Sequence, residues 1–372
     1  MKIGIITLTF GDNYGGIVQG WALQTLLARL GHKAEMVQLV QRRRRPLWKV
    51  PLSLCKRILK KLLIDKHTLI FEKREIQTVR QHTNRFIYTR ICPRDVKSAA
   101  QIQKGDYDAF VVGSDQVWRY CYNCLMMQSH LMPYLGFAQG WDVGRYAYAA
   151  SFGVDEWDYP PKYDEVCRKL AGQFNAISVR EDTAVTLCKK QLGVEAVHLL
   201  DPTMLLGEAD YRKLVDEAGV AASAGDLFYY ILDPTPQKQD IINRTAEHYG
   251  LKPFTVVQKH KINEREYPLS ERIVPPVESW LRAFMDAKMV VTDSFHGCAF
   301  SINFGRPFVA IGNEARGLAR MESILRMFAI EDHLLIDPDG ATAIPSPYLP
   351  EDTPRRLEQY RKQALQFLKQ IK

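Results

Sequence analysis

The chain has 372 residues, of which 46% are hydrophobic and 25% charged, a balance that excludes a disordered or collagen-like polymer and suffices for two domains with separate cores. No apolar run reaches the roughly 18 residues of a membrane-spanning helix. The start, Met1-Lys2-Ile3-Gly4-Ile5-Ile6-Thr7, has too short an apolar core for a secretory signal, so a cytoplasmic chain is expected. The formal charge of +8 is concentrated: residues 41–66 carry ten Lys and Arg against Asp65, which leaves the remainder near neutral. That is one basic insertion rather than a generally basic nucleic-acid binder. The seven cysteines are odd in number and scattered, as reduced thiols would be.

In chain order, the apolar run 2–8 predicts a strand and the glycine-rich stretch 11–16 a loop. Ile17, Trp21, Leu23, Leu26, Leu27 and Leu30 then predict a helix stopped at Gly31. A strand over 34–40 completes a βαβ unit. Within the basic insertion the apolar residues fall at helical spacing from Leu54 onward, giving an amphipathic helix that either lies on an anionic bilayer surface or packs on the domain with its cations solvated. Strands are predicted over 108–115, 146–153, 176–182 and 197–202, each ending in polar residues. In an open parallel sheet such ends line the ligand crevice.

From Leu206 the pattern restarts, with strands over 227–232, 253–258, 289–292 and 307–311 and helices over 237–249, 277–287, 296–304 and 317–328. A last helix over 355–369 is free to pack back across either domain. The fold class read from this alternation is α/β, two doubly wound Rossmann-like domains facing each other. The domains are residues 1–204, with the insertion 41–66, and 205–345, followed by a C-terminal helix in 346–372.

Val290-Val-Thr-Asp-Ser-Phe-His-Gly297 is the most informative stretch. It puts an imidazole where a buried strand gives way to a helix, so free N–H groups and the positive helix end favour an anion beside His296. Asp293, Ser294 and Gly297 around it strengthen a functional reading over a core histidine. Gly113-Ser-Asp-Gln-Val-Trp118 repeats the strand-to-loop pattern. Ser114 and Asp115 either cap a helix or bind sugar hydroxyls, and Trp118 either stacks on a sugar or packs.

The loop Gly11-Asp-Asn-Tyr-Gly-Gly16 lacks both GxGxxG spacing and the Walker lysine, which removes a standard nucleotide cradle, while glycine still permits close backbone approach. Arg180 closes a strand beside Glu181 and Asp182, suited either to an anion or to a local ion pair. Cys121-Tyr-Asn-Cys124 is a lone CxxC with no second pair, and no metal site is expected from it.

Taken in order, Asn13-Tyr-Gly-Gly-Ile-Val-Gln19, Gly113-Ser-Asp-Gln-Val-Trp118, Ala149-Ala-Ser-Phe-Gly153, Ser178-Val-Arg-Glu181, Asp201-Pro-Thr203 and Asp293-Ser-Phe-His-Gly297 resemble the polysaccharide pyruvyl transferase family. The resemblance implies a GT-B-like fold and transfer of pyruvate from phosphoenolpyruvate onto two hydroxyls of a sugar, forming a cyclic ketal, with no further cofactor and no metal. His296 matches the family's histidine and Arg180 an arginine implicated in gripping the donor. Where many members have an arginine two residues before that histidine, this chain has Ser294, and Arg316 and Arg320 are the candidates to replace it.

The catalytic expectation rests on His296, Asp115 and Asp293. Substrate contacts are expected from Arg180, Ser294, Gly297, Arg316, Arg320, Asp12, Asn13, Tyr14, Gly15, Gly16, Gln19, Ser114, Gln116 and Trp118. The expected partners are phosphoenolpyruvate, a saccharide on a lipid diphosphate, and an anionic membrane surface under 41–66 at the inner face of the cell membrane. The rival readings are a glycosyltransferase using a nucleotide sugar, since fold does not fix function, and a non-catalytic RNA- or membrane-binding protein working through the arginine run.

Overall fold

A computed structural model describes residues 1–40, 72–123, 129–313, 316–336 and 344–372. The expected basic amphipathic helix of 41–66 lies outside the described residues, as does Cys124.

Strands β1 (Lys2–Ile6), β2 (Lys33–Leu39), β3 (Arg94–Val96), β4 (Ala109–Val112), β5 (Gly144–Ala150), β6 (Ala176–Val179) and β7 (Val197–His198) form one sheet, in the order β3-β2-β1-β4-β5-β6-β7. Every pairing in it is parallel. A second parallel sheet holds β8 (Leu227–Tyr230), β9 (Pro253–Phe254), β10 (Met289–Thr292), β11 (Phe308–Ile311) and β12 (Leu334–Leu335), in the order β12-β11-β10-β8-β9. The chain therefore builds two Rossmann-like α/β units. Their central strands read as unbroken apolar runs because both faces are covered: β4, β10 and β11 are buried at every position. The edge strands β3, β7, β9 and β12 are two or three residues long, which leaves little open edge for unwanted pairing.

Each sheet reverses its direction of winding once, and the crevice at such a reversal is where ligands bind in open α/β sheets. In the first sheet the reversal lies between β1 and β4, in the second between β10 and β8. The first helix, α1 (Tyr14–Arg29), starts directly beyond β1, and Gly31, at φ +88°, turns the chain into β2. Helices α2 (Glu72–Val79) and α3 (Gln81–Phe86) lead to β3, and α4 (Asp164–Ala171) and α5 (Asp182–Leu187) flank β6.

In the second unit α6 (Glu208–Ala218) packs on α8 (Val277–Asp286). Helix α7 (Pro236–Tyr249) is bounded as its sequence dictates. Thr235 Oγ1 accepts from the Lys238 N–H, Pro236 takes the first turn, and Gly250 at φ +62° ends it. Helices α9 (Phe295–Asn303) and α10 (Ala319–Phe328) follow β10 and β11.

One apolar cluster runs through both units. Tyr14 stacks on Trp280 at 5.6 Å and Trp21 tilts against Tyr211 at 5.7 Å, so α1 packs on α8 and α6. The last helix, α11 (Thr353–Leu368), touches both units: Phe367 packs near Tyr148, and Tyr360 donates to the Met327 carbonyl. Two expected strands shrink to two residues each. The 197–202 strand ends at His198, because Asp201 caps a tight turn at Pro202–Met204. The 253–258 strand keeps only the two residues that pair with β8.

Candidate active site

Helix α1 enters the cleft between the units glycine first. A Cβ on Gly15 would overlap the His296 ring, and Gly15 is what lets the first turn of α1 meet an imidazole carried by the other unit. His296 is the second residue of α9 and is 4% exposed. Ser294 N–H donates to Thr292 Oγ1, and Gly297 lies so close to Thr292 that any side chain would clash. The Ser-Phe-His-Gly sequence thus folds as a tight strand-to-helix turn aimed at the first unit.

Facing it is a buried ionic cluster at the ends of β4, β6 and β7. Arg180 Nη1 donates to Asp201 Oδ2 at 2.8 Å, Nη2 lies 3.5 Å from Asp115 Oδ1, and the guanidinium sits 4.3 Å from the Phe295 ring centre. Asp201 also accepts from Ser114 Oγ and from the Thr203 N–H and hydroxyl, and its Oδ2 lies 3.9 Å from His296 Nε2. Asp115 holds a left-handed backbone at φ +68°, a conformation that aspartate tolerates and that recurs at functional sites. Glu181 accepts from Ser151 Oγ through Oε1, while Oε2 has no partner. Arg320 donates to the Arg316 carbonyl.

Burial dominates the electrostatics. It lowers His296 to about 4, with Arg180 and Arg320 adding to the effect and Asp201 and Asp115 opposing it, so the free site holds a neutral imidazole. Burial likewise lowers Arg320 to about 10, next to the like charge of Arg180, and raises Glu181. Burial alone would raise Asp201, but Arg180 and the Thr203 hydrogen bonds hold the carboxyl below its ordinary range. Four buried nitrogens of this cluster have no hydrogen-bond partner: Arg180 Nε and Nη2, Arg320 Nε and His296 Nε2. A buried unsatisfied polar group costs roughly 1–3 kcal/mol, and native structures rarely concentrate such groups unless a ligand completes them.

Several sequence-predicted contacts turn out to be structural. Asp293 accepts from the Leu232 and Asp233 N–H groups, from Lys238 Nζ at 2.7 Å and from Asn313 Nδ2 at 3.0 Å. Its carboxylate is consumed in tying β8, β10 and β11 together, which removes it as a base. Trp118 is fully buried, stacked on Tyr134 and donating to the Pro133 carbonyl, so it presents no face to a sugar. Tyr14 stacks on Trp280 and its hydroxyl donates to the Pro275 carbonyl, so its side chain serves packing. Gln19 bridges Thr7, Gly16 and the Ser114 N–H. Gln116 is buried and accepts from Arg119.

Arg316 forms a two-pronged pair with Asp233, whereas Arg320 holds a buried Nε with no hydrogen-bond partner in the cluster. Ser114 donates to Asp201, while Ser294 and Gly297 build the turn that carries His296. Asp201 and Glu181 were not foreseen as site residues. Each stands in a quoted motif, and the usable signal was a carboxylate at a strand's carboxyl end, in Asp201's case before proline.

Asp12, Asn13, Gly16 and Asp115 line a cavity of about 300 Å³ beside this cluster, together with Arg80, which donates to Asp12 at 2.9 Å. Among the described residues no group of three or more His, Cys, Asp or Glu has the geometry to hold a metal ion, and no helix is long and apolar enough to cross a membrane.

Two Rossmann-like units meet at a buried cluster of guanidinium, carboxyl and imidazole groups, which defines a two-domain α/β protein with its candidate site in the cleft. The sequence profile of the polysaccharide pyruvyl transferase family matches residues 13–315, and the chain belongs to that family. No curated protein matches the chain. Among solved structures it is similar to the UDP-GlcNAc 2-epimerase of Neisseria meningitidis bound to UDP-GlcNAc, at 10% identity and TM-score 0.46, covering 100% of this chain and 95% of that one. It is also similar to the S. aureus MnaA co-structure with UDP, at 12% identity and TM-score 0.46, covering 100% and 91%. Both likenesses are too remote to carry an argument about chemistry.

Proposed function

We propose that the protein moves the pyruvyl group of phosphoenolpyruvate onto two hydroxyls of one sugar residue in a polysaccharide precursor, as a cyclic ketal. The observation that carries this reading is the set of unpartnered buried nitrogens on Arg180, Arg320 and His296. A compact anion bearing both a carboxylate and a phosphate offers acceptors for all of them.

The reaction balances without a further reagent. The enol methylene takes one proton, a sugar hydroxyl adds to the neighbouring carbon, and the C–O bond to phosphate breaks with its electron pair leaving on phosphate. The second hydroxyl then adds to the same carbon. Of the two hydroxyl protons released, one replaces that spent on the methylene and the other leaves on phosphate. His296 is neutral in the free site and gains a proton as the anionic donor arrives, which suits it to protonate the methylene. Asp115, between the Arg180 cluster and the cavity, is placed to accept a hydroxyl proton.

Phosphoenolpyruvate is expected to raise the melting temperature, with a shift that grows as the logarithm of ligand concentration, and mass spectrometry with it and a panel of p-nitrophenyl or lipid-linked sugars should show the pyruvyl mass increment. A shift with a nucleotide sugar and none with phosphoenolpyruvate would assign the glycosyltransferase reading instead.

The acceptor proposed is a lipid-diphosphate-linked saccharide, with residues 41–66 on an anionic leaflet; the support is the density of Lys and Arg there. The intact chain should sediment with liposomes containing anionic lipid, and a variant with residues 42–45 neutralised should stay in the supernatant. Equal partitioning of the two removes the membrane role.

A further inference from the structure

The cavity of about 300 Å³ opens at the reversal point of the first sheet, between the loop after β1 and the turn after β4, where an open parallel sheet offers its ligand crevice. Its volume is at the lower end of small-molecule pockets, about 300–1,000 Å³, which suits a monosaccharide better than a nucleotide. Its lining combines apolar side chains, Leu8, Phe10, Ile17 and Leu39, with polar ones, Asp12, Asn13 and Asp115. A pyranose offers a matching mixture: faces of C–H groups and a rim of hydroxyls.

The charges of the described lining narrow the class further. Asp12 and Asp115 bring carboxyl oxygens to the site, and the single cation of the described lining, Arg80, already donates to Asp12. Carboxylates accept hydrogen bonds from sugar hydroxyls and repel a uronate or a phosphorylated sugar. Gly16 leaves the space beside Asp115 Oδ2 open, and the other oxygen of Asp115 lies 3.5 Å from Arg180. A hydroxyl seated on Asp115 therefore stands next to the cluster assigned to the donor.

We infer that this cavity is the acceptor subsite and that it selects one uncharged pyranose residue, with Asp12 and Asp115 gripping its hydroxyls and Arg80 holding Asp12 in place. The inference rests on the pyruvyl-transfer reading for the word acceptor, but the binding it describes does not need the donor.

The test is binding of methyl glucopyranoside, galactopyranoside and mannopyranoside, each against its methyl uronide, to the full chain by saturation-transfer NMR and titration. At least one neutral glycoside should bind at least tenfold tighter than its uronide. Asp12→Asn should narrow that ratio, and Leu39→Trp, which fills the cavity, should abolish binding while the phosphoenolpyruvate-induced rise in melting temperature persists in both variants. Equal or tighter binding of uronides, absence of binding by every sugar, or binding that survives Leu39→Trp would overturn the inference. Loss of the phosphoenolpyruvate response in the unmodified chain would overturn the donor reading and leave the sugar result standing.

Discussion

His296 is the residue at which burial and charge compete most openly. Its imidazole is lowered to about 4 by desolvation, Arg180 and Arg320, against the attraction of Asp201 and Asp115. In an unfolded chain the same group titrates near 6.5. Between those values the unfolded state binds the extra proton, so the stability His296 allows is complete above about pH 6.5 and falls as the pH drops toward 4, by on the order of 3 kcal/mol. Glu181, raised by burial above 4.5, acts with the opposite sign, losing stability as pH rises through its own shifted range. In His296→Asn the decline of melting temperature from pH 7 to pH 5 should be shallower than in the parent, and turnover should fall by roughly 10²–10⁴. Superimposable melting profiles would mean that another group titrates.

At the scale of elements, the two acids read as equivalents in the sequence separate cleanly. Asp293, at the end of β10, is enclosed by donors that follow β8 and β11 and by Lys238 of α7. Asp293→Asn would set an amide N–H against a donor and leave buried Lys238 short of its partner, a loss of roughly 3–5 kcal/mol. Asp115→Asn keeps a residue that accepts φ +68° and leaves Arg180 paired with Asp201. It should change the melting temperature by a few degrees at most and turnover by at least about a hundredfold. Thermal melts beside single-turnover rates distinguish the two, and an Asp293→Asn protein that folds normally but is inactive would restore Asp293 as a base.

The same contrast shows what the sequence could carry. The central strands were legible because burial on both faces writes an apolar run, and α7 because Thr235, Pro236 and Gly250 mark its ends. Strands β3 and β12 were not, being too short to express a period of two. His296, Arg180 and Asp115 were legible as polar residues at strand ends. Asp201 was missed as a partner because its contact joins residues 21 positions apart across two strands. Tyr14 and Trp118 were misread because an aromatic residue beside a glycine-rich loop looks alike whether it meets a ligand or a neighbouring helix.

Over the whole molecule, the cleft is closed by contacts that come from opposite units and carry very different chemistry. On one side Asp182 pairs through both oxygens with Arg326, and its N–H donates to Ser323 Oγ. Near Arg316 and Arg320, by contrast, backbone meets backbone: a Cβ on Gly317 would overlap the Gly153 carbonyl, and Gly317 itself is at φ +89°. The loop that leads to Arg320 can approach Gly153 this closely because Gly317 has no side chain. Gly317→Ala therefore combines a backbone penalty of about 1–2 kcal/mol with separation of the units where the Arg180 and Arg320 guanidiniums converge. Gly305→Ala isolates the first effect, since Gly305 is at φ +63° with nothing within 4 Å of an added Cβ. Both variants should melt lower than the parent. Only Gly317→Ala should also lose turnover and weaken the response to phosphoenolpyruvate, because a shift of even an ångström between Arg180 and Arg320 breaks the shared grip on one small anion. Equal turnover in the two variants would show that the donor is held by the first unit alone and that the Gly153 and Gly317 contact serves folding.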